Sequence, residues 1–143
     1  QTVHRKLQPV AIMFSEYYFY LTAFIDDDEV KKDFDVLNDS FPTIYRIDRI
    51  KALKVLDERF HIPYSSRFEE GEFRKRIQFM YGGKLHEVKF KYTDPDIDAV
   101  LDRLPTAQIL DETNEEYTIC AEVFGTGINM WLRSQGSYVE LIQ

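Results

Sequence analysis

The stretch LHEVKFKYTDPDIDAVLDRLP, residues 85–105, has the clearest secondary-structure pattern in the chain. In its first part Val88, Phe90 and Tyr92 alternate with charged residues, and this period of two predicts a β-strand with one buried face. In its second part apolar residues recur three and four positions apart, at Ile97, Val100, Leu101 and Leu104. That spacing predicts an amphipathic helix directly after the strand.

The ends of this helix are also marked in the sequence. Asp94 is a good N-cap, Pro95 suits the first helical position, and Pro105 stops the helix. Two strands are expected next, in residues 107–110 and 117–124, joined by a polar turn at residues 112–115.

A second helix and a last strand complete this half. Thr126 is placed to cap the helix, Ile128, Trp131 and Leu132 share one of its faces, and Gly136 marks its end. Residues 138–142 are predicted to form the final strand. The resulting order, β-α-β-β-α-β, is that of the ferredoxin-like split βαβ arrangement.

The first half contains short apolar runs separated by polar breaks. Strands are predicted at residues 7–14, 17–25, 43–47 and 52–56, with the Ser15-Glu16 break suited to a hairpin. The acidic run at residues 26–29, followed by Lys31-Lys32, is expected to form a charged turn or excursion. Short strands at this spacing, without a helical pattern between them, indicate a small barrel or curled sheet.

The expected domain organisation is a β-barrel in residues 1–62, a connector with a short helix in residues 63–83, and a ferredoxin-like module in residues 84–143. Phe73, Ile77 and Met80 fall four and three positions apart, which predicts the helix of the connector. The fold class is therefore α+β, with a partial Sm-like or SH3-like barrel followed by the ferredoxin-like module.

Composition excludes several classes of protein. The chain is 44% hydrophobic, with 11 Phe and 9 Tyr, so it can build a core. Cys120 is the only cysteine, which excludes a disulfide framework within one chain. The charge of −7 gives no generic basic face for nucleic acid. The longest apolar run is about half a membrane span and no signal peptide is recognised, so a cytoplasmic protein without membrane partners is expected.

Three stretches of the first half together resemble the WYL domain: LQPVA at 7–11, YFYLTAF at 18–24 and YRIDRI at 45–50. The triplet that names the family is Phe19-Tyr20-Leu21 here, so an aromatic ring is kept but the indole donor is lost. The arginine-bearing strand that ends in Asp-Arg-Ile is intact. The second half resembles the extension that commonly follows this domain, ending in WLRSQGS at 131–137.

The resemblance implies the effector-sensing part of a bacterial transcription regulator. It further implies that a helix-turn-helix domain and a first barrel strand precede Gln1, so the barrel of this chain is expected to lack that strand. Duplex DNA would be bound only by the preceding domain. Some family members bind single-stranded nucleic acid, and the regulator is expected to be a homodimer.

The strand period limits which residues can share a ligand site. Arg46 and Asp48 share one face of their strand, and Tyr18 and Tyr20 share a face of theirs. The predicted site for a nucleotide or short single strand consists of the basic and tyrosine residues Arg46, Arg49, Tyr18, Tyr20, His4, Arg5 and Lys6. Guanidinium groups hold phosphate and aromatic rings stack on bases. The alternative is that Arg46 pairs with Asp48 or another acid while the tyrosines fill the barrel.

No catalytic or metal-binding constellation is recognised, so no cofactor is expected and the chain is not predicted to be an enzyme. The acidic residues 26–33 lack the glycine and final glutamate of a calcium loop. Gly125-Thr126-Gly127 lacks the lysine of a phosphate-binding loop, so a helix cap is favoured there. A competing function remains open: a protein-interaction or dimerisation module without a small ligand, with the last strand pairing edge to edge.

Overall fold

The computed structural model describes residues 1–33, 42–62 and 68–142. The fold is α+β, with two antiparallel sheets of three and four strands and a few short helices. The chain divides into two compact units, Gln1–Glu70 and Gly71–Gln143. Of the predicted connector, residues 68–70 belong to the first unit and residues 71–83 to the second, and residues 63–67 lie outside the described residues.

The first unit contains the three-stranded sheet, in the order β1-β2-β3. Its elements are β1 (Leu7–Ser15), β2 (Tyr18–Ile25), α1 (Asp28–Asp33), β3 (Thr43–Arg46) and a 3₁₀ turn (Ile47–Arg49). A bulge interrupts β1 between Pro9 and Ala11. Proline has no N–H for a ladder, and its place on an edge strand avoids that loss.

The β1–β2 hairpin turns one residue later than the sequence suggested. Ser15 pairs with Tyr18, so the two turn residues are Glu16 and Tyr17. Glu16 has φ of 59°, in the left-handed region that tight hairpin turns require. The shift does not change which residues share a face of β2.

The core of the first unit is small. Met13, Thr22, Ala23 and Ile25 are buried. The Thr22 hydroxyl donates to the backbone carbonyl of Ala11 at 3.2 Å, next to the bulge. This hydrogen bond gives the buried hydroxyl a partner.

Two predictions for the first unit are wrong. The acidic run is not only a turn: α1 begins within it, because the Asp27 carboxylate accepts hydrogen bonds from the N–H groups of Glu29 and Val30 and caps the helix. Residues 52–56 do not form a strand of the sheet. Their backbone finds no pairing partner within the described residues.

The second unit contains the four-stranded sheet, in the order β5-β6-β4-β7 with every neighbouring pair antiparallel. Its elements, after α2 (Glu70–Arg74) at the unit boundary, are β4 (Leu85–Tyr92), α3 (Ile97–Arg103), β5 (Gln108–Thr113), β6 (Glu116–Phe124), α4 (Gly127–Ser134), a 3₁₀ turn (Gly136–Tyr138) and β7 (Val139–Leu141). Each strand and helix predicted for residues 84–143 is present, with its ends moved by a few residues.

The core of this unit lies between the sheet and α3 and α4. Phe90 and Trp131 meet edge to face, with ring centroids 6.1 Å apart. Val100 of α3 and Leu104, the residue that directly follows this helix, are buried beside them, as their helical spacing predicts. Burial of this apolar surface is the main contribution to the stability of the unit.

Two helices differ from the sequence prediction, α3 in its N-cap residue and the connector helix in its length. Asp96, and not Asp94, is the N-cap residue of α3, while the Asp94 carboxylate accepts from the Asp96 N–H at 2.8 Å. The connector helix is shorter than predicted, because Ile77 leaves the helix and forms a parallel bridge with Phe124 at the end of β6.

Candidate functional site

The guanidinium group of Arg46 is held between an acid and an aromatic ring. Its Nε and Nη2 atoms donate to the two carboxylate oxygens of Asp48, at 3.1 and 2.7 Å. Its Cζ atom lies 3.6 Å from the centre of the Tyr18 ring, a cation–π contact. The Arg46 side chain is 21% exposed and that of Asp48 is 52% exposed, so the cluster lies at the surface.

Strand register explains why these residues meet. Tyr20 of β2 is paired directly with Arg46 of β3, so their side chains lie on the same face of the sheet. Tyr18 lies two residues before Tyr20 in β2 and is therefore on this face as well. After Arg46 the chain enters the 3₁₀ turn, which returns Asp48 to the guanidinium group.

The ion pair fixes the charge state of both partners. Hydrogen bonding from Arg46 lowers the pKa of Asp48, and the same bonds raise the pKa of Arg46. The pair is complete above the ordinary pKa of an aspartate and is lost only as pH falls through the lowered value. The charge of Arg46 is thus neutralised by Asp48 at physiological pH. This ion pair is the one named in the alternative interpretation of the sequence, in which Arg46 pairs with Asp48 or another acid.

Because Asp48 neutralises Arg46, the net positive charge of this region comes from Arg49. It lies at the end of the 3₁₀ turn, is exposed, and forms no ion pair within the described residues. It is close enough to Asp48 to contribute to the lowered pKa of that carboxyl group, although less than Arg46 does. The cluster of Tyr18, Tyr20, Arg46, Asp48 and Arg49, called here the β2–β3 cluster, therefore carries one net positive charge.

The basic residues near the start of the chain make contacts outside the β2–β3 cluster. The Lys6 ammonium group is 3.4 Å from the Asp26 carboxylate and also pairs with Glu58. Hydrogen bonding with Glu58 is the main cause that raises the pKa of Lys6. His4 is exposed, and its backbone carbonyl accepts from the Arg5 guanidinium group at 2.9 Å.

Arg5 lies near a tyrosine on the opposite face of the sheet. Burial raises the pKa of Tyr45, and the charge of Arg5 offsets part of that rise. Tyr45 is paired with Leu21, so it faces away from Arg46 and Tyr20. Of the seven residues predicted for the site, the fold brings together Tyr18, Tyr20 and Arg46 with Arg49 nearby, whereas Lys6 and Arg5 have other neighbours.

The opposite face of the hairpin exposes a group of apolar side chains that the sequence interpretation did not single out. Phe14 and Phe19 are a cross-strand pair with ring centroids 5.1 Å apart, and both are more than half exposed. Ile12 on the same face and Tyr17 in the turn are also exposed. Alternation along β1 places Ile12 and Phe14 on one face, but alternation does not tell which face is buried.

The Gly125-Thr126-Gly127 loop is explained by packing. A Cβ atom on Gly127 would lie 1.9 Å from the carbonyl oxygen of Gln78, and Gly125, at φ of 69°, lies against the backbone of Tyr81 and Gly82. Thr126 occupies the N-cap position of α4 without a side-chain hydrogen bond to the helix. The glycines therefore permit close approach of two backbones.

The ion cluster of the second unit holds the backbone in place. Arg76 pairs with Glu122 at 2.6 Å and with Glu72 at 2.8 Å. The Thr106 hydroxyl donates to the Glu122 carbonyl and accepts from the Glu122 N–H. These contacts join residues 72–76 and Thr106 to β6, and they leave the arginine paired with two acids.

Reactive and metal-binding groups are sparse in the described part of the chain. No group of three or more His, Cys, Asp or Glu residues there is arranged to hold a metal ion. Burial raises the pKa of Cys120 on β6, which disfavours the reactive thiolate. No helix among the described residues is long and apolar enough to span a membrane.

Comparison with known proteins adds no relative. No protein-family model matches the chain, and a search of curated proteins finds no significant match. The function of this chain is therefore inferred from its residues and geometry and from the resemblance in its sequence.

Proposed function

We propose that this chain is the effector-binding and regulatory part of a bacterial transcription regulator of the WYL type. The first unit would bind a nucleotide or a short single strand of nucleic acid at the β2–β3 cluster. Duplex DNA would be bound by a helix-turn-helix domain that the resemblance places before Gln1. In this proposal the chain is cytoplasmic, works as a homodimer, needs no cofactor and is not an enzyme.

The proposal includes a finer description of both folds. For the second unit, the element order β4-α3-β5-β6-α4-β7 and the strand order β5-β6-β4-β7 support a ferredoxin-like assignment. For the first unit, the β1-β2-β3 meander followed by a 3₁₀ turn supports part of an Sm-like or SH3-like barrel.

The observation that carries the ligand proposal is the stacked Arg46–Tyr18 pair beside the exposed Arg49. A guanidinium group packed on a ring is preorganised, so less side-chain entropy is lost when it binds a phosphate. Arg49 gives the cluster a net positive charge in a chain of net charge −7. A phosphate would contact Arg49 and compete with Asp48 for Arg46.

Base recognition would use the tyrosines of the same face. Tyr18 is 39% exposed, and rings of this kind stack on any base because every base has a π-face. The expected ligand is therefore bound with little sequence preference and with an affinity that falls as salt rises.

Fluorescence anisotropy with a labelled oligothymidylate of about eight nucleotides tests the proposal. Arg49→Ala should weaken binding by roughly tenfold, since it removes a charge-assisted phosphate contact. Arg133→Ala, which removes an exposed arginine of α4, is the matched control and should leave binding unchanged. Equal effects of the two substitutions would show only bulk electrostatic attraction and would contradict a site at the cluster.

A specific observation also favours the second candidate, a dimerisation module without a ligand. β7 is an edge strand, and Leu141 and Ile142 are about half exposed there. An apolar edge can add a strand from another chain. Light scattering on the chain should then give a dimer mass that Leu141→Lys reduces to the monomer mass, and a dimer unaffected by that substitution would contradict this role.

A further inference from the structure

The ion pair with Asp48 uses only part of the hydrogen-bonding capacity of Arg46. The Nε atom donates to one carboxylate oxygen and the Nη2 atom donates to the other, at 3.1 and 2.7 Å. An arginine has five N–H donors, so three donors, two of them on Nη1, are not used by Asp48. The cation–π contact with Tyr18 helps to hold the group in this position. Arg46 therefore keeps donors for a second acceptor while it is paired with Asp48.

The carboxylate of Asp48 opposes the approach of any anion to Arg46. An anion that binds the Nε edge must displace this carboxylate, and an anion that binds the Nη1 end is repelled by its charge. An internal phosphate of a nucleic acid carries one negative charge. Exchange of the carboxylate for such a phosphate replaces one single charge by another, so Arg46 gives the phosphodiester little net attraction.

A phosphate monoester differs from a phosphodiester in charge and in the number of its free oxygens. Near pH 7 the monoester carries a charge of about −1.5 to −2 and has three strong acceptor oxygens. Two oxygens can accept hydrogen bonds from one guanidinium group, and a third can then accept from another donor. Arg49, exposed at the end of the 3₁₀ turn, is that second donor in the β2–β3 cluster. A monoester can therefore bind both arginines at once.

The ion pairs of Arg76 in the second unit have the opposite ratio of charges. There one arginine pairs with two acids, Glu72 at 2.8 Å and Glu122 at 2.6 Å, which gives a net negative charge. In the β2–β3 cluster two arginines lie near one acid, since Asp48 pairs with Arg46 and the charge of Arg49 also lowers the pKa of Asp48. Of these two arginine–carboxylate clusters, only the β2–β3 cluster has the charge to bind a dianion.

We propose that Asp48 makes the β2–β3 cluster selective for a phosphate monoester, the terminal phosphate of a nucleotide or of a single strand, over an internal phosphodiester. This inference rests on the proposed function and narrows the class of its ligand. Internal phosphates contact Arg49, and Asp48 limits their access to Arg46. A terminal phosphate has the charge and the oxygens to contact both arginines, so Asp48 is the residue that determines specificity.

Fluorescence anisotropy with end-modified oligothymidylates tests the selectivity. Labelled strands of equal length carry a hydroxyl, a phosphate or a methyl phosphate at the 5′ end, and a second set carries the same groups at the 3′ end. A strand with a terminal phosphate should bind about tenfold more tightly than the hydroxyl strand. The methyl phosphate adds one charge but has only two free oxygens, so it should bind within about twofold of the hydroxyl strand.

Competition separates the two sources of a monoester. Thymidine 5′-monophosphate that displaces the phosphorylated strand, when its methyl ester does not, would support a free nucleotide as the ligand. A preference for the phosphorylated strand without displacement by the mononucleotide would support the end of a strand.

Asp48→Asn tests whether Asp48 is the source of the selectivity. The hydroxyl strand should gain about tenfold in affinity and the phosphorylated strand less, so the preference should fall to about twofold. Glu72→Gln is the matched control, because Glu72 also pairs with an arginine and its side chain is 51% exposed, against 52% for Asp48. The control should keep the full preference.

The possible failures of this inference and of the proposed function are distinct. Equal binding of all strands, with Arg49→Ala still weakening each of them, would overturn the selectivity and leave the proposed site. A preference that persists in Asp48→Asn would overturn the role of Asp48. Absence of binding by every strand at low salt would overturn the proposed function and this inference together.

Discussion

At the scale of single residues, Asp48 limits the affinity of the β2–β3 cluster for an anion. Its carboxylate takes two hydrogen bonds from Arg46 and cancels the charge of that residue. The pair is exposed to solvent, where ion pairs contribute little to stability and exchange partners readily. Asp48 therefore acts as an internal competitor of any phosphate that reaches Arg46.

Asp48→Asn should raise the affinity for a short single strand by roughly tenfold, because Arg46 regains its full donor capacity. Anisotropy titrations of the substituted and original chains at one salt concentration measure the difference. Asp57→Asn removes an acid of the same unit away from the cluster and should change affinity little. Weaker binding by Asp48→Asn would mean that the carboxylate itself holds the ligand or orients Arg46.

Gly127 shows how a single position can be fixed by the approach of two backbones. Gly127→Ala should lower the free energy of unfolding by about 3 kcal/mol or more, since the added methyl group overlaps the Gln78 carbonyl. Gly71→Ala in α2 is the matched control, because no atom lies within 4 Å of its added methyl group. The control should be neutral or stabilising by up to about 1 kcal/mol. Urea denaturation measures both, and equal stabilities of the two variants would contradict this packing.

At the scale of elements, the β5–β6 hairpin has a turn that its sequence only partly suits. Asn114 and Glu115 have φ of 49° and 65°, the positive pair that a type I′ turn requires. Asparagine tolerates this conformation, whereas glutamate is strained in it. The hairpin forms because Tyr117 and Ile119 of β6 pack toward the core.

Glu115→Gly should raise the free energy of unfolding by about 0.5–1 kcal/mol, because it relieves the strain and creates the preferred Asn-Gly pair. Glu112→Gly in the neighbouring strand should have the opposite sign, since glycine weakens a strand interior. Thermal denaturation followed by circular dichroism compares the two. A loss of stability in Glu115→Gly would show that its side chain makes a contact that outweighs the strain.

At the scale of the whole molecule, the two units differ in how well their sequences predict their secondary structure and burial. In the second unit the apolar periods of β4 and α3 are carried by buried residues such as Phe90 and Val100, whereas Leu110 of β5 and Leu141 of β7 are about half exposed. In the first unit apolar periods also occur in exposed segments. Leu53 and Val55 alternate as in a strand, yet no strand of the described residues pairs with them, and pairing is not encoded locally.

The sequence predicts only part of the candidate site, because strand periodicity is a local signal whereas the pairing of distant residues is not. The strand period places Tyr18 with Tyr20 and Arg46 with Asp48, and the register of β2 with β3 then joins the two sets. Lys6 could not be assigned in this way, because its partners Asp26 and Glu58 are distant in sequence. Long-range ion pairs leave no periodic signal for the sequence to reveal.

The salt dependence of single-strand binding tests whether the β2–β3 cluster is a nucleic-acid site. Anisotropy titrations of the 143-residue chain with a labelled oligothymidylate, repeated across salt concentrations, should show binding at low salt. The logarithm of affinity should fall with the logarithm of salt concentration with a slope near −0.7 for each phosphate contacted, and Arg49→Ala should reduce that slope by about one contact. Absence of binding at low salt, or a slope unchanged by Arg49→Ala, would contradict a nucleic-acid site at the β2–β3 cluster.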